Sequence, residues 1–182
     1  MCRCWKNNRI YQKNEDIENY LSSYCDVDFE SQELLEDDLN FLLECGKCNY
    51  KLKPFACDGC GGIYAILNNK KIGYIDSESN AGIVANNIRD FFSIVTNIGN
   101  ISDLSHFNCS KDKERFVSYF YEVKNEIPRD KKFVKDFIKE NLLEDNPEKI
   151  YVLLKNAITS EPKLIIEATS EDYEDSEQLF EF

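Results

Sequence analysis

Apolar residues recur at helical spacing over residues 14–25 and 31–45 of this chain. In the first stretch Ile17, Tyr20, Leu21 and Tyr24 form one face, Asn14 is a candidate N-cap, and Glu15, Asp16 and Glu18 suit the positive end of a helix dipole. In the second, Ser31 caps, Leu34, Leu35, Leu39, Leu42 and Leu43 recur, and Gly46 follows as a stop. The period then changes. Tyr50, Leu52 and Pro54-Phe55-Ala56 read as extended, and Asp58-Gly59-Cys60-Gly61-Gly62 is a turn cluster. Residues 63–67 and 71–75 are rich in β-branched and aromatic side chains and flank the polar turn Asn68-Asn69-Lys70, so the middle region predicts a small antiparallel meander. A loop over 76–82 leads to an amphipathic helix at 83–98, with Val84, Ile88, Phe91, Phe92, Val95 and Ile98 on one stripe. Residues 99–110 are polar and irregular. Helical patterns return over 111–126, 130–143 and 147–159, the last capped by Asn146 with Pro147 at its first position. Residues 163–168 fit one late strand, and the acid-rich stretch from Thr169 reads as a loose tail. There is no internal repeat.

This order predicts an α+β fold: an antiparallel sheet flanked by N-terminal helices and a following helix, with a helical C-terminal extension. At 182 residues the chain suits one domain with a core of its own. Its organisation divides into an α+β core over 1–100, a helical part over 101–168 packed on or extending the same domain, and an acidic tail over 169–182. No apolar run is long enough for a membrane span. The basic start is not followed by the apolar region of a secretory signal, so the expected location is cytoplasmic.

Charge narrows the partners. The formal net charge is −12. Residues 14–44 hold eleven acids and no base, and residues 140–182 hold twelve acids and three bases. Nucleic acid is bound by neutralising phosphates with Lys and Arg, so this balance argues against it and for a basic protein partner drawn in by long-range steering. The alternative is two solvated acidic helices.

Eight cysteines include Cys45-x-x-Cys48 and Cys57-x-x-Cys60. Two such pairs are what a tetrahedral zinc site uses, with thiolates at about 2.3 Å from the ion. An extended 49–56 would instead hold the pairs roughly 26 Å apart, beyond the reach of one ion. A redox role is disfavoured for Cys45, which falls at a helix C-terminus where the dipole opposes a thiolate. The remaining reading is small buried apolar residues. His106 is the lone histidine and lacks an evident nucleophile. Asp58, Asp76 and Glu78 sit in meander turns, where carboxylates ordinarily solvate or shape the turn. The turn 58–62 lacks the Lys-Ser/Thr of a phosphate-binding loop and joins two strands. Tyr119-Phe120-Tyr121 and Phe91-Phe92 fall within helical patterns and read as core.

The stretch Pro54-Phe55-Ala56-Cys57-Asp58-Gly59-Cys60-Gly61-Gly62-Ile63-Tyr64-Ala65 resembles the signature of the SUKH superfamily, which includes fungal cell-wall-synthesis regulators and many bacterial immunity proteins. Ile72 to Glu78 looks like that family's second strand and Ser-Glu loop, and Gly82 to Phe92 like its closing helix. The resemblance covers about residues 30–98, and residues 100–182 have no counterpart that can be matched. Cys57 and Cys60 fall on the variable positions of the motif. In this setting Gly59, Gly61 and Gly62 supply positive φ in a tight turn, and Phe55 and Tyr64 pair across the meander. The resemblance implies a non-enzymatic binding protein, an immunity protein that neutralises a protein toxin and needs no cofactor. The expected partner contacts are Asp58, Asp76 and Glu78 as exposed loop acids, and Glu36, Asp37 and Asp38 on the second helix. The alternative is a zinc-stabilised interaction module built on Cys45, Cys48, Cys57 and Cys60. A third reading is an enzyme using the loop carboxylates.

Overall fold

A computed structural model describes residues 15–106, 111–123, 126–128, 130–170 and 174–180. It is an α+β fold whose elements follow the order α1 (Glu15–Cys25), α2 (Gln32–Leu42), β1 (Gly46–Cys48), β2 (Leu52–Cys57), β3 (Ile63–Leu67), β4 (Lys71–Ile75), β5 (Ala81–Ala85), α3 (Ile88–Ile98), the short α4 (Asp103–His106), α5 (Lys113–Val123), α6 (Lys132–Glu140), α7 (Pro147–Ile158) and β6 (Ile166–Ala168). Asn14 lies outside the described residues. No helix among the described residues is long and apolar enough to cross a membrane.

The predicted meander is present and larger than expected. Strands β2, β3, β4 and β5 form one antiparallel sheet in that order. At the β3–β4 turn Asn68 and Asn69 take φ of 47° and 66°, and Lys70 N–H donates to Leu67 O at 3.0 Å. Two consecutive positive φ values are what a hairpin needs to follow strand twist, and asparagine tolerates them. Residues 81–85 are a strand and not the start of a helix. All five are buried, so they carry no polar alternation to mark them as strand. The helix starts at Ile88, where Asn87 Oδ1 accepts from Arg89 N and Asp90 N, both at 3.0 Å. The stretch 82–92 is therefore strand, cap and helix in succession. The capping oxygens of Ser31 and Asn146, with Pro147 at the first turn, act as the sequence predicts.

Side chains alternate across the sheet into two cores. Tyr64, Ile72, Tyr74 and Val84 join Ile17, Tyr20, Phe91, Phe92, Phe116, Phe137, Ile150 and Leu154. Ile63, Leu67, Ile75 and Ile83 join Leu35, Leu39, Leu164 and Ile166 on the other face. The first core draws on residues from α1 to Phe180.

A second, two-stranded ribbon pairs β1 with β6, Gly46 opposite Ala168 and Cys48 opposite Ile166. Gly46 belongs to this strand and does not stop the helix, which ends at Leu42. A Cβ on Gly46 would overlap the Ile166 side chain. Residues 174–180 are docked, contrary to a loose tail. Ser176 N–H donates to Ile166 O at 2.9 Å, Ile166 N–H to Ser176 Oγ at 2.8 Å, and Ala168 N–H to Asp175 Oδ1 at 2.8 Å. The segment then crosses to the main sheet, where Ala81 N–H donates to Glu177 O at 3.0 Å and Leu179 N–H to Ala81 O at 3.2 Å. Phe180 is buried in the first core. This strap covers part of the β5 edge, and the Asp28–Cys57 bridge covers the end of β2.

Candidate functional site

The turn 58–62 is a structural hub. Asp58 is 6% exposed, so it is not the exposed contact residue the sequence predicts. Its Oδ1 accepts from Cys60 N at 2.9 Å and Gly62 N at 2.7 Å, and its Oδ2 accepts from the Tyr74 hydroxyl. Three donors make the burial of this carboxylate tolerable. Of the three glycines only Gly61 has positive φ, at 90°. Gly62 is required for room: a Cβ there would stand 2.6 Å from Tyr74 Oη and 2.7 Å from Asp58 Oδ2. Asp26 lies against the same turn, its Oδ1 accepting from Gly59 N at 2.9 Å. Burial raises its carboxyl pKa, the Gly59 N–H opposes that, and the neighbouring acids Asp58, Asp28 and Asp103 add to the rise.

Phe55 and Tyr64 meet as expected, with ring centroids 6.4 Å apart. Tyr64 also stacks on Tyr74 at 4.8 Å. The Tyr64 hydroxyl is buried without a hydrogen-bond partner among the described residues. Burial pushes the Tyr64 phenol up, helped by Tyr74 and Asp58. Burial and the bond to Asp58 do the same for Tyr74. Burial also pushes the Cys57 thiol up to about 11, with Asp28, Glu30, Asp38 and Asp58 adding to it. Groups whose folded pKa exceeds the unfolded value hold their protons longer in the fold. The stability they contribute is therefore complete below the unfolded values, near 9 for Cys57 and 10 for the tyrosines, and declines as pH rises beyond them. Urea unfolding at stepped alkaline pH will show the midpoint falling, with a smaller fall in Cys57→Ala, where the raised Cys48 thiol remains. A flat profile would contradict this burial.

Asp76 also builds its own loop. Its Oδ1 accepts from Glu78 N and Asn80 N, both at 2.9 Å, and its Oδ2 from Asn80 Nδ2 at 3.1 Å. Ser79 Oγ donates to Leu42 O at 3.2 Å and so ties the loop to the end of α2. The effect is to present Glu78 to solvent. Glu78 lines a half-open cleft of about 560 Å³. Its walls are the loop 77–80, the α2–β1 junction at Leu42, Cys45 and Gly46, the β6 residues Ile166 and Ala168, and the strap 174–177. Among the described residues four carboxylates line it, Glu78, Glu174, Asp175 and Glu177, and no Lys or Arg does. Asp175 is engaged by the Ala168 N–H. Cations are the chemistry this cleft favours.

Glu36, Asp37 and Asp38 are exposed on α2, with Glu36 accepting from Gln32 Nε2 at 2.8 Å. They do not line the cleft, but α2 ends at its rim. The strap acids Glu174, Asp175 and Glu177 were missed from the sequence. The signal for them was Leu179 and Phe180, an apolar pair among acids that needs somewhere to be buried.

The four cysteines of the two pairs do not converge. Cys45 and Cys48 lie at the ribbon, whose partner is β6, whereas Cys57 ends β2 beside Asp28 and Cys60 is exposed in the turn. Among the described residues no three His, Cys, Asp or Glu side chains gather as a cation-holding group. Burial also raises the Cys48 thiol, which disfavours the thiolate a metal or redox site uses. Cys2, Cys4 and Cys109 lie outside the described residues, as does the His106 side chain.

No protein-family model, curated protein or solved structure matches the chain.

Proposed function

We propose that this chain is a cytoplasmic, non-enzymatic immunity protein that binds a basic protein toxin and occludes it. The observation that carries the reading is the cleft beside Glu78, lined among the described residues by four carboxylates and no Lys or Arg. A toxin that acts on nucleic acid needs a cationic surface, and an acidic cleft with steered association is its complement. The SUKH-like stretch from Pro54 to Ala65 supports the same reading. So does the use of Asp58, whose oxygens are committed to holding a turn. The acidic balance favours a protein partner over nucleic acid.

The test is co-expression with the C-terminal domain of a large secreted protein encoded by a neighbouring gene. The wild-type chain is expected to rescue growth, and the triple variant Glu78→Lys, Glu174→Lys, Glu177→Lys to fail. Affinity should fall tenfold or more between about 0.01 M and about 1 M salt, over which the Debye length shrinks from about 30 Å to about 3 Å. An affinity indifferent to both salt and charge reversal overturns the reading.

A further inference from the structure

Helix α2 buries Leu35 and Leu39 and leaves two large apolar side chains in water. Leu34 is 52% exposed and Phe41 77%. They are seven residues apart, two helical turns, so they lie on one face about 10 Å apart along the axis. By helical phase Asp37 and Asp38 stand on either side of the line joining them, and Glu33 lies beyond Asp37. All three acids are exposed. An apolar anchor at the centre of a polar rim is the arrangement of an interface hot spot.

The charge selects the occupant. A second copy of this chain packed on the same face would set these acids against their own images, and like charges so placed repel. An anionic lipid surface is repelled for the same reason. Residues 14–44 contain no base to offset either. We infer that the Leu34–Phe41 face of α2 is a docking surface for a protein partner that presents apolar side chains flanked by Lys or Arg. The helix ends at Leu42, which lines the acidic cleft, so the face and the cleft form one footprint. Phe41 supplies the apolar anchor and the cleft takes a cationic side chain. This assignment rests on the binding-protein reading above and names the part of the surface that carries the apolar energy.

The probe is a synthetic amphipathic helix of leucine and lysine only. Its controls are the same helix with glutamate for lysine and a lysine–serine peptide of equal charge. Titration against the full chain, followed by amide chemical shifts, should place the leucine–lysine helix on α2. The double variant Leu34→Ser, Phe41→Ser should weaken it tenfold or more with little change in melting temperature, because Phe41 lies mostly in water and Leu34 is half exposed. The controls should bind at least tenfold more weakly. Equal binding of any control, an unchanged affinity in the double variant, or a wild-type dimer that the double variant dissociates would each overturn the inference. The co-expression assay separates the two claims. Full rescue by the double variant removes the α2 face and leaves the immunity reading standing. Failed rescue by the wild-type chain, with the peptide still mapped to α2, does the reverse.

Discussion

Replacing Asp58 by alanine is expected to destabilise the fold by about 3 kcal/mol or more. The substitution strips the partner from two backbone N–H groups, those of Cys60 and Gly62, and from the Tyr74 hydroxyl. The Gly62 bond is buried, and so is the Tyr74 bond. A buried donor left unmade costs about 1–3 kcal/mol, and water has little room to replace the carboxylate beside Gly62. Asp58→Asn isolates the parts. It keeps an oxygen for both N–H groups and changes only the bond to Tyr74, so its cost is about 1–2 kcal/mol. Urea denaturation of the two variants at neutral pH measures both. Equal costs would mean that the Tyr74 bond dominates, and two negligible costs would mean the hub does not bear on stability.

Ending the chain at Tyr173 is expected to cost about 3 kcal/mol or more and, on the proposed reading, to abolish partner binding as well. Phe180 is 5% exposed, and truncating a buried phenylalanine alone costs about 3–5 kcal/mol. The deletion also bares Ala81 on the β5 edge and removes Glu174, Asp175 and Glu177 from the cleft. Phe180→Ala separates the effects, since it keeps the acids and loses the anchor. Calorimetric melting of both forms, with affinity for the proposed toxin partner measured well below the lower melting temperature, tests this. Full affinity in the shortened chain would show that the strap acids take no part.

The legible parts of the fold were those with local chemistry. The β3–β4 hairpin was readable because β-branched runs flank Asn68-Asn69, and α7 because Asn146 and Pro147 mark its start. Strand β5 was not, because it is buried throughout and its Val84 also fits the helical stripe that follows. The Asn86-Asn87 pair was the overlooked boundary. The hub was misjudged because a turn aspartate looks exposed until Tyr74, sixteen residues on, is folded over it. Glu78 could be found from its loop. For its partners in the cleft, Leu179 and Phe180 signal that the strap docks, but nothing local reveals that residues 174–177 lie against residues 77–80.

The β1–β6 ribbon has a consequence for how the molecule comes into being. Asn49 bonds Lys163 O and Ile165 N, 114 and 116 residues further along the chain. Such pairings form late, after the loop between them has closed. A ribosome must therefore release β6 and the strap before the acidic cleft has a second wall. A half-made chain can hold its helices and the meander, yet of the four cleft carboxylates it has only Glu78 in place.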